Sequence, residues 1–149
     1  MKKVETGLWA LCANPDLYRI EDAVRNPRTD WWRCKRSDLK PGHRVIIWKC
    51  KGRHNQHRGV VAFGKVLTAP KPRPDDPTNP HWIDPSEGTK VEDRVEIQYV
   101  LLPKLPLWYE PESSSILGDL TVARGRGTVF HITEDQLTGI VDAAGGWPA

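Results

Sequence analysis

The sequence predicts one α+β domain that is mainly β: a small, closed or nearly closed barrel flanked by short helices. Three observations carry this. The strongest apolar runs, at residues 44–49, 59–67 and 94–100, are short, rich in Val and Ile, and show no helical spacing anywhere between 44 and 100. Helical spacing occurs only near the two ends, in Ile20, Ala23 and Val24 and again in Leu137, Ile140 and Val141. The length, 149 residues, suits a single ordinary domain with one real core. The domain is read as 1–149, with a core over about 8–143 and a frayed tail at 144–149.

The elements follow in order. Residues 8–12 are a short apolar run and read as a strand, ended by the turn Asn14-Pro15-Asp16. A short helix follows and stops before Asn26-Pro27. Residues 37–42 make a tight connection into the strand at 44–49, which ends in Trp48 and Lys49. Residues 51–58 form a polar, basic loop. The strand at 59–67 carries Gly59 and Gly64, which suggest a bulge or a close backbone approach. Residues 69–87 hold six of the thirteen prolines and read as a long ordered loop, a type that is usually functional. Residues 94–100 alternate, with Val95, Ile97 and Tyr99 inward and Glu96 and Gln98 outward. Residues 103–120 are irregular, and a last strand lies at 128–132. Thr133 and Gln136 then stand as the N-cap and N3 of a capping box before the final helix.

Composition narrows the function classes. No stretch is apolar enough to span a membrane, and no signal peptide is evident. Cys12, Cys34 and Cys50 are odd in number and scattered, which favours free thiols in a reducing, cytoplasmic setting. The net charge is only +3, yet residues 25–58 carry eleven Lys/Arg against Asp30 and Asp38. A basic segment within an otherwise acidic chain is a footprint for a polyanion, or else a solvated face salt-bridged to the rest. Seven of the twelve aromatic residues are Trp, more than one core needs.

Trp31, Trp32, Trp48 and Trp82 flank or lie within reach of the basic segment. An extruded base has two π-faces and wants an aromatic wall on each, and a methyl group on the base suits such a box. Each Trp could equally be a core or loop-anchoring residue. Adjacent residues on an extended segment point to opposite faces, so one of Trp31 and Trp32 should face the pocket, with Trp32 preferred. Asp84 beside Trp82 could accept from an exocyclic amine, or could cap the turn before Pro85. Phosphate contacts are expected from Arg33, Lys35, Arg36, Lys49, Lys51, Arg53, His54, His57 and Arg58. Cys50, His54 and His57 imitate a metal set, but the second cysteine of a zinc pair is missing and the neighbours are cationic, so no metal or other cofactor is expected. No phosphate loop, nucleophile elbow or HExxH is present, and Asp75-Asp76 has no second group to work with; the chain is not read as an enzyme.

The order of five pieces resembles the EVE domain family. They are residues 14–21 (NPDLYRIE) followed by Trp32, residues 39–48 (LKPGHRVIIW), residues 58–66 (RGVVAFGKV), residues 81–86 (HWIDPS) and residues 125–133 (GRGTVFHIT). The resemblance implies a PUA-like small β-barrel flanked by short helices, related to YTH and ASCH domains. It implies a nucleic-acid-binding module that recognises a flipped, modified base in an aromatic cage, with 5-methylcytosine in DNA favoured. By order the family's cage tryptophans match Trp31 or Trp32, and Trp82, while Trp48 matches a position often aromatic at a strand end. Alternatives are an RNA-binding ASCH/PUA-like module acting on tRNA or rRNA, and a modified-nucleoside hydrolase using the same pocket. No nuclease domain is evident in these residues, so the chain is expected to be either a reader whose nuclease or other effector is another polypeptide, or a fragment. One departure is Gly42-His43, where many family members have Gly-Asp; this should alter a turn contact and leave the pocket alone.

Overall fold

A computed structural model describes residues 7–25, 29–34, 39–50, 58–109 and 129–145. Lys35, Arg36, Lys51, Arg53, His54 and His57, all expected at a nucleic-acid backbone, lie outside the described residues. All five expected strands are present: β1 (Leu8–Ala13), β3 (Arg44–Lys49), β4 (Gly59–Val66), β6 (Glu92–Val100) and β8 (Val129–His131). Three more join them, β2 (Thr29–Arg33), β5 (Lys71–Arg73) and β7 (Leu107–Trp108). Among the described residues the helices are α1 (Ile20–Arg25), α2 (Ser86–Thr89) and α3 (Glu134–Ala143). The strands form one curled half-barrel sheet in the order β2-β6-β4-β3-β1-β8, with β5 on β6 and β7 on β4.

β1 and β3 run parallel, Leu8 beside Arg44 through Ala13 beside Lys49. A parallel pair needs a long crossover, and residues 14–43, with α1 and β2, supply it. The central strands are buried on both faces, which explains their unbroken apolar runs. Alternate residues feed two cores. Leu11, Val45, Ile47 and Ile97 pack with α1 inside the curl, while Leu8, Ile46, Trp48 and Phe63 pack with α3 on the other side. The β3–β4 register shifts between Ile47 and Trp48, where Val61 has no partner on β3. Gly64 lies against β6, and an added Cβ there would stand 2.7 Å from Ile97 Cγ2. The bulge and the close approach expected of β4 are therefore both present.

The capping box at α3 is formed in both directions. Gln136 N–H donates to Thr133 Oγ1 at 3.1 Å, and Thr133 N–H donates to Gln136 Oε1 at 2.9 Å. It sets Leu137 and Ile140 into the outer core. Thr133→Ala should lower the stability by about 1 kcal/mol. Thermal unfolding checks this, and an unchanged midpoint would mean that packing alone holds the helix end.

Two expectations need correction. Cys12 and Cys50 are not free thiols: they are joined by a disulfide, with an S–S distance of 2.11 Å. Strand register brings them together, since Cys50 N–H donates to the Ala13 carbonyl where β1 and β3 end. Only Cys34 is free, and it is buried. The thiol count therefore gives no ground for a reducing or cytoplasmic setting. The second correction concerns residues 69–87, which hold β5 and the start of α2 rather than loop alone. No helix among the described residues is long and apolar enough to cross a membrane.

Candidate functional site

The turn after β1, the edge strand β2 and the segment around Trp82 meet at one side of the sheet. A backbone bridge fixes the meeting: Tyr18 pairs with Trp82, Arg19 N–H donates to the His81 carbonyl at 2.8 Å, and Ile83 N–H donates to the Leu17 carbonyl at 3.0 Å. Between these segments lies a pocket of about 140 Å³ bordered by Trp31, Trp32, Trp82, Leu17 and Asn14. It is well below the roughly 300–1,000 Å³ of pockets for drug-sized ligands, so it suits a single planar group. A larger, more polar hollow of about 380 Å³ adjoins it, sharing Tyr18, Asp30 and Trp31 and adding Asp75, Asn79 and Glu96.

Two rings of the small pocket, Trp32 and Trp82, are tied by their indole N–H groups, and Trp31 is held by its backbone N–H. Trp32 Nε1 donates to the Tyr99 hydroxyl at 2.8 Å, and that hydroxyl donates to Asp30 Oδ2 at 2.6 Å. Tyr18 also donates to Asp30 Oδ2, at 2.6 Å, and the Trp31 backbone N–H donates to Asp30 Oδ1 at 2.9 Å. Trp82 Nε1 donates to Asp75 Oδ2 at 2.6 Å. Asn79 links the halves, donating to both Asp75 Oδ2 and the Tyr18 hydroxyl. Tyr18 meets the Trp82 ring edge-on, with centroids 4.6 Å apart. Gly88 of α2 lies beneath that ring, and an added Cβ would stand 2.8 Å from Trp82 Nε1. Networks of this kind hold rings in one orientation before a ligand arrives.

Burial sets the protonation states. Desolvation raises the Asp30 carboxyl to about 6, with a further push from nearby Asp75, while the hydroxyls of Tyr18 and Tyr99 and the Trp31 N–H pull it down. Desolvation and the Asp30 charge push both tyrosines well above their usual value, so each keeps its proton and donates.

Both Trp31 and Trp32 border the pocket, although only one was expected to. The reason is that β2 ends the sheet, so the pocket wraps its free edge and takes a ring from each face. Trp32 turns toward the inner core. Trp31 carries two cations on its ring, the Arg73 guanidinium at 3.8 Å from the centroid and Lys71 Nζ at 5.1 Å.

Other expected site residues are placed elsewhere. Trp48 is 1% exposed and belongs to the outer core near Tyr109, because β3 is a central strand with no open face. Asp84 is exposed and accepts from Ser86 N–H at 3.0 Å and Ser86 Oγ at 2.8 Å, so it caps the turn instead of edging the pocket. Those bonds hold its carboxyl below the usual range. Lys49 is buried and paired with Glu21 at 2.8 Å. Arg33 is bound to Glu87 at 2.7 Å and to Glu92, and its guanidinium stands 5.2 Å from the Trp82 ring. It borders the pocket, but its charge is matched by these two carboxylates rather than left for phosphate. Arg58 stacks on Tyr109 at 4.7 Å. His43 accepts from Trp9 Nε1 at 3.1 Å and from Lys40 N–H at 3.2 Å, a turn contact remote from the pocket lining. The residues that sequence reasoning missed are Asp30, Asp75, Tyr18, Tyr99 and Asn79.

The EVE domain family model matches residues 7–143. The fold is similar to that of a hypothetical protein from Leishmania major, with a TM-score of 0.61 and 16% identity over 91% of this chain and 92% of that one. It is similar to human THYN1 solved in complex with DNA containing 5-methylcytosine, with a TM-score of 0.60 and 15% identity over 95% and 99% of the two chains. It is also similar to the DUF55 domain of human thymocyte nuclear protein 1, with a TM-score of 0.59 and 19% identity over 91% and 96%. At these identities the likeness is one of fold. No curated protein matches the chain in sequence.

Proposed function

Because the chain belongs to the EVE domain family, we propose that it binds nucleic acid and holds one flipped, modified base, of the 5-methylcytosine type in DNA, against the rings of Trp31, Trp32 and Trp82. The observation that carries this reading is the convergence of three indoles on one small pocket, with the Trp32 and Trp82 rings tied through their indole N–H to Tyr99 and Asp75 and Trp31 held through its backbone N–H to Asp30. The two indoles tied at their N–H have little freedom left to lose when a base stacks on them. The DNA bound to the similar human protein carries 5-methylcytosine, which supports the choice of base.

The pocket binds and does no chemistry on this reading. Asp30 has a carboxyl raised to about 6, but it accepts from Tyr18, Tyr99 and the Trp31 N–H. A carboxylate so engaged holds walls in place and has little capacity left to move a proton. Phosphate contacts fall to cations beside the pocket that are in no ion pair among the described residues, namely Arg19, Lys71 and Arg73.

A panel of oligonucleotides, each bearing one modified base, tests this by fluorescence anisotropy. Burying one extra methyl is worth about 0.8 kcal/mol, so 5-methylcytosine should bind roughly fourfold or more tightly than cytosine. Equal affinities across the panel would sink the reading.

A further inference from the structure

Five large apolar side chains are exposed among the described residues, and two of them are paired across the backbone bridge beside the pocket. Leu17 is 40% exposed and Ile83 46%. The bridge that pairs Tyr18 with Trp82 also joins these two, through Ile83 N–H to the Leu17 carbonyl. Leu17 borders the pocket as well. The other three, Leu67, Val91 and Leu101, flank the ends of β4 and β6.

The rim is firm. Leu17 and Tyr18 N–H both donate to the Asn14 carbonyl, and Asp16 N–H donates to Asn14 Oδ1 at 2.9 Å. The Arg19 guanidinium ties the opposite side to the carbonyls of Pro80 and Trp82. Those acceptors are neutral, and Arg19 is in no ion pair among the described residues. The carboxylate of Asp84, next to Ile83, is turned back onto Ser86.

We propose that Leu17 and Ile83 form an apolar wedge that enters the base stack of duplex DNA and fills the gap left by the base drawn into the pocket. The inference rests on the base-holding reading above. Moving a base out of a duplex costs a few kcal/mol of stacking and pairing. An inserted apolar side chain offsets part of this by covering the faces of the neighbouring pairs. A rigid apolar pair beside the pocket, next to a cation in no ion pair among the described residues, has the chemistry for that task. A gap in a base stack is apolar on two sides and bounded by phosphates.

The test compares a duplex carrying one 5-methylcytosine with the same strand unpaired, by fluorescence anisotropy. Ile83→Ser is the deciding variant because Ile83 does not border the pocket; Leu17→Ser is the second, and thermal unfolding verifies both folds. Ile83→Ser should weaken duplex binding roughly tenfold and single-strand binding less than twofold. A neighbouring 2-aminopurine should brighten with wild type and less with the variants. Equal losses on duplex and single strand, or no loss on either, would overturn the wedge while leaving the pocket reading intact. A wild-type protein that binds the modified single strand no better than the unmodified one would overturn the pocket reading itself.

Discussion

Trp82→Ala should weaken binding of an oligonucleotide bearing 5-methylcytosine by roughly 5- to 150-fold, the equivalent of about 1–3 kcal/mol for one stacking ring. Trp82 is only partly buried, at the edge of the inner core, and comes from the segment between β5 and α2. Its loss therefore removes a pocket wall while the central strands keep their packing. Two other contacts go with it, the donation to Asp75 and the edge-on contact with Tyr18. Asp75 retains Asn79 as a partner, so the buried carboxylate is not stranded. Binding of the unmodified oligonucleotide should change much less, because phosphate contacts dominate it. Trp82→Phe separates the two roles of the ring, since it keeps an aromatic face but loses the N–H donor. A small loss for Phe and a large one for Ala would mean that stacking matters more than the tie to Asp75. Equal losses for modified and unmodified oligonucleotides would show instead that Trp82 supports the fold or the backbone track.

Trp82 also shows what could be read from the sequence and what could not. Its place beside the pocket was legible from a Trp in a Pro-rich segment near a basic stretch, although the ring also packs against the edge of the inner core. The central strands were legible for a similar reason: runs such as residues 44–49 are apolar at every position because both faces are covered. That same property misplaced Trp48. A ring at the end of a strand looks available, yet here the strand is central and the ring is sealed under Tyr109. The charged residues were the least legible. Arg94 reads as the surface start of a strand, but it is 0% exposed and donates to the carbonyls of Arg73, Glu87 and Lys90. Those three bonds order the long Pro-rich segment that presents Trp82. Arg33 and Lys49 were counted as phosphate contacts from local charge, whereas Glu87, Glu92 and Glu21, distant in sequence, already match them. Asp30 looked like a minority charge in a basic stretch and is the hub of the pocket. The role of Asp30 depends on Asp75 and Tyr99, 45 and 69 positions away, and no local pattern carries it.

Asp30 makes a pH dependence that can be isolated. Its carboxyl is raised from 3.8 to about 6 in the folded protein, chiefly by desolvation and then by Asp75, against the pull of Tyr18 and Tyr99. A raised folded value means that the folded state holds the proton more tightly than the unfolded chain does. Below pH 4 both states are protonated and the group is neutral with respect to folding. Between about pH 4 and 6 the unfolded chain gives up its proton first, so stability should fall as the pH rises through this window and then level off. The full shift corresponds to roughly 3 kcal/mol at most, since Asp30 is only partly buried. Other acids titrate in the same range, so the quantity to measure is the difference between wild type and Asp30→Asn. Asparagine keeps an oxygen to accept from Tyr18 and Tyr99 and has no charge to desolvate. Urea unfolding of both proteins at pH 4, 5, 6 and 7 should show the wild type losing roughly 2–3 kcal/mol relative to the variant across the window, and nothing further above it. A constant difference would show that water reaches Asp30 freely and that its carboxylate holds the pocket rings at no cost in desolvation. A difference moving the other way would mean that the donated bonds outweigh burial, which would make Asp30 an ordinary stabilising acceptor with a depressed value.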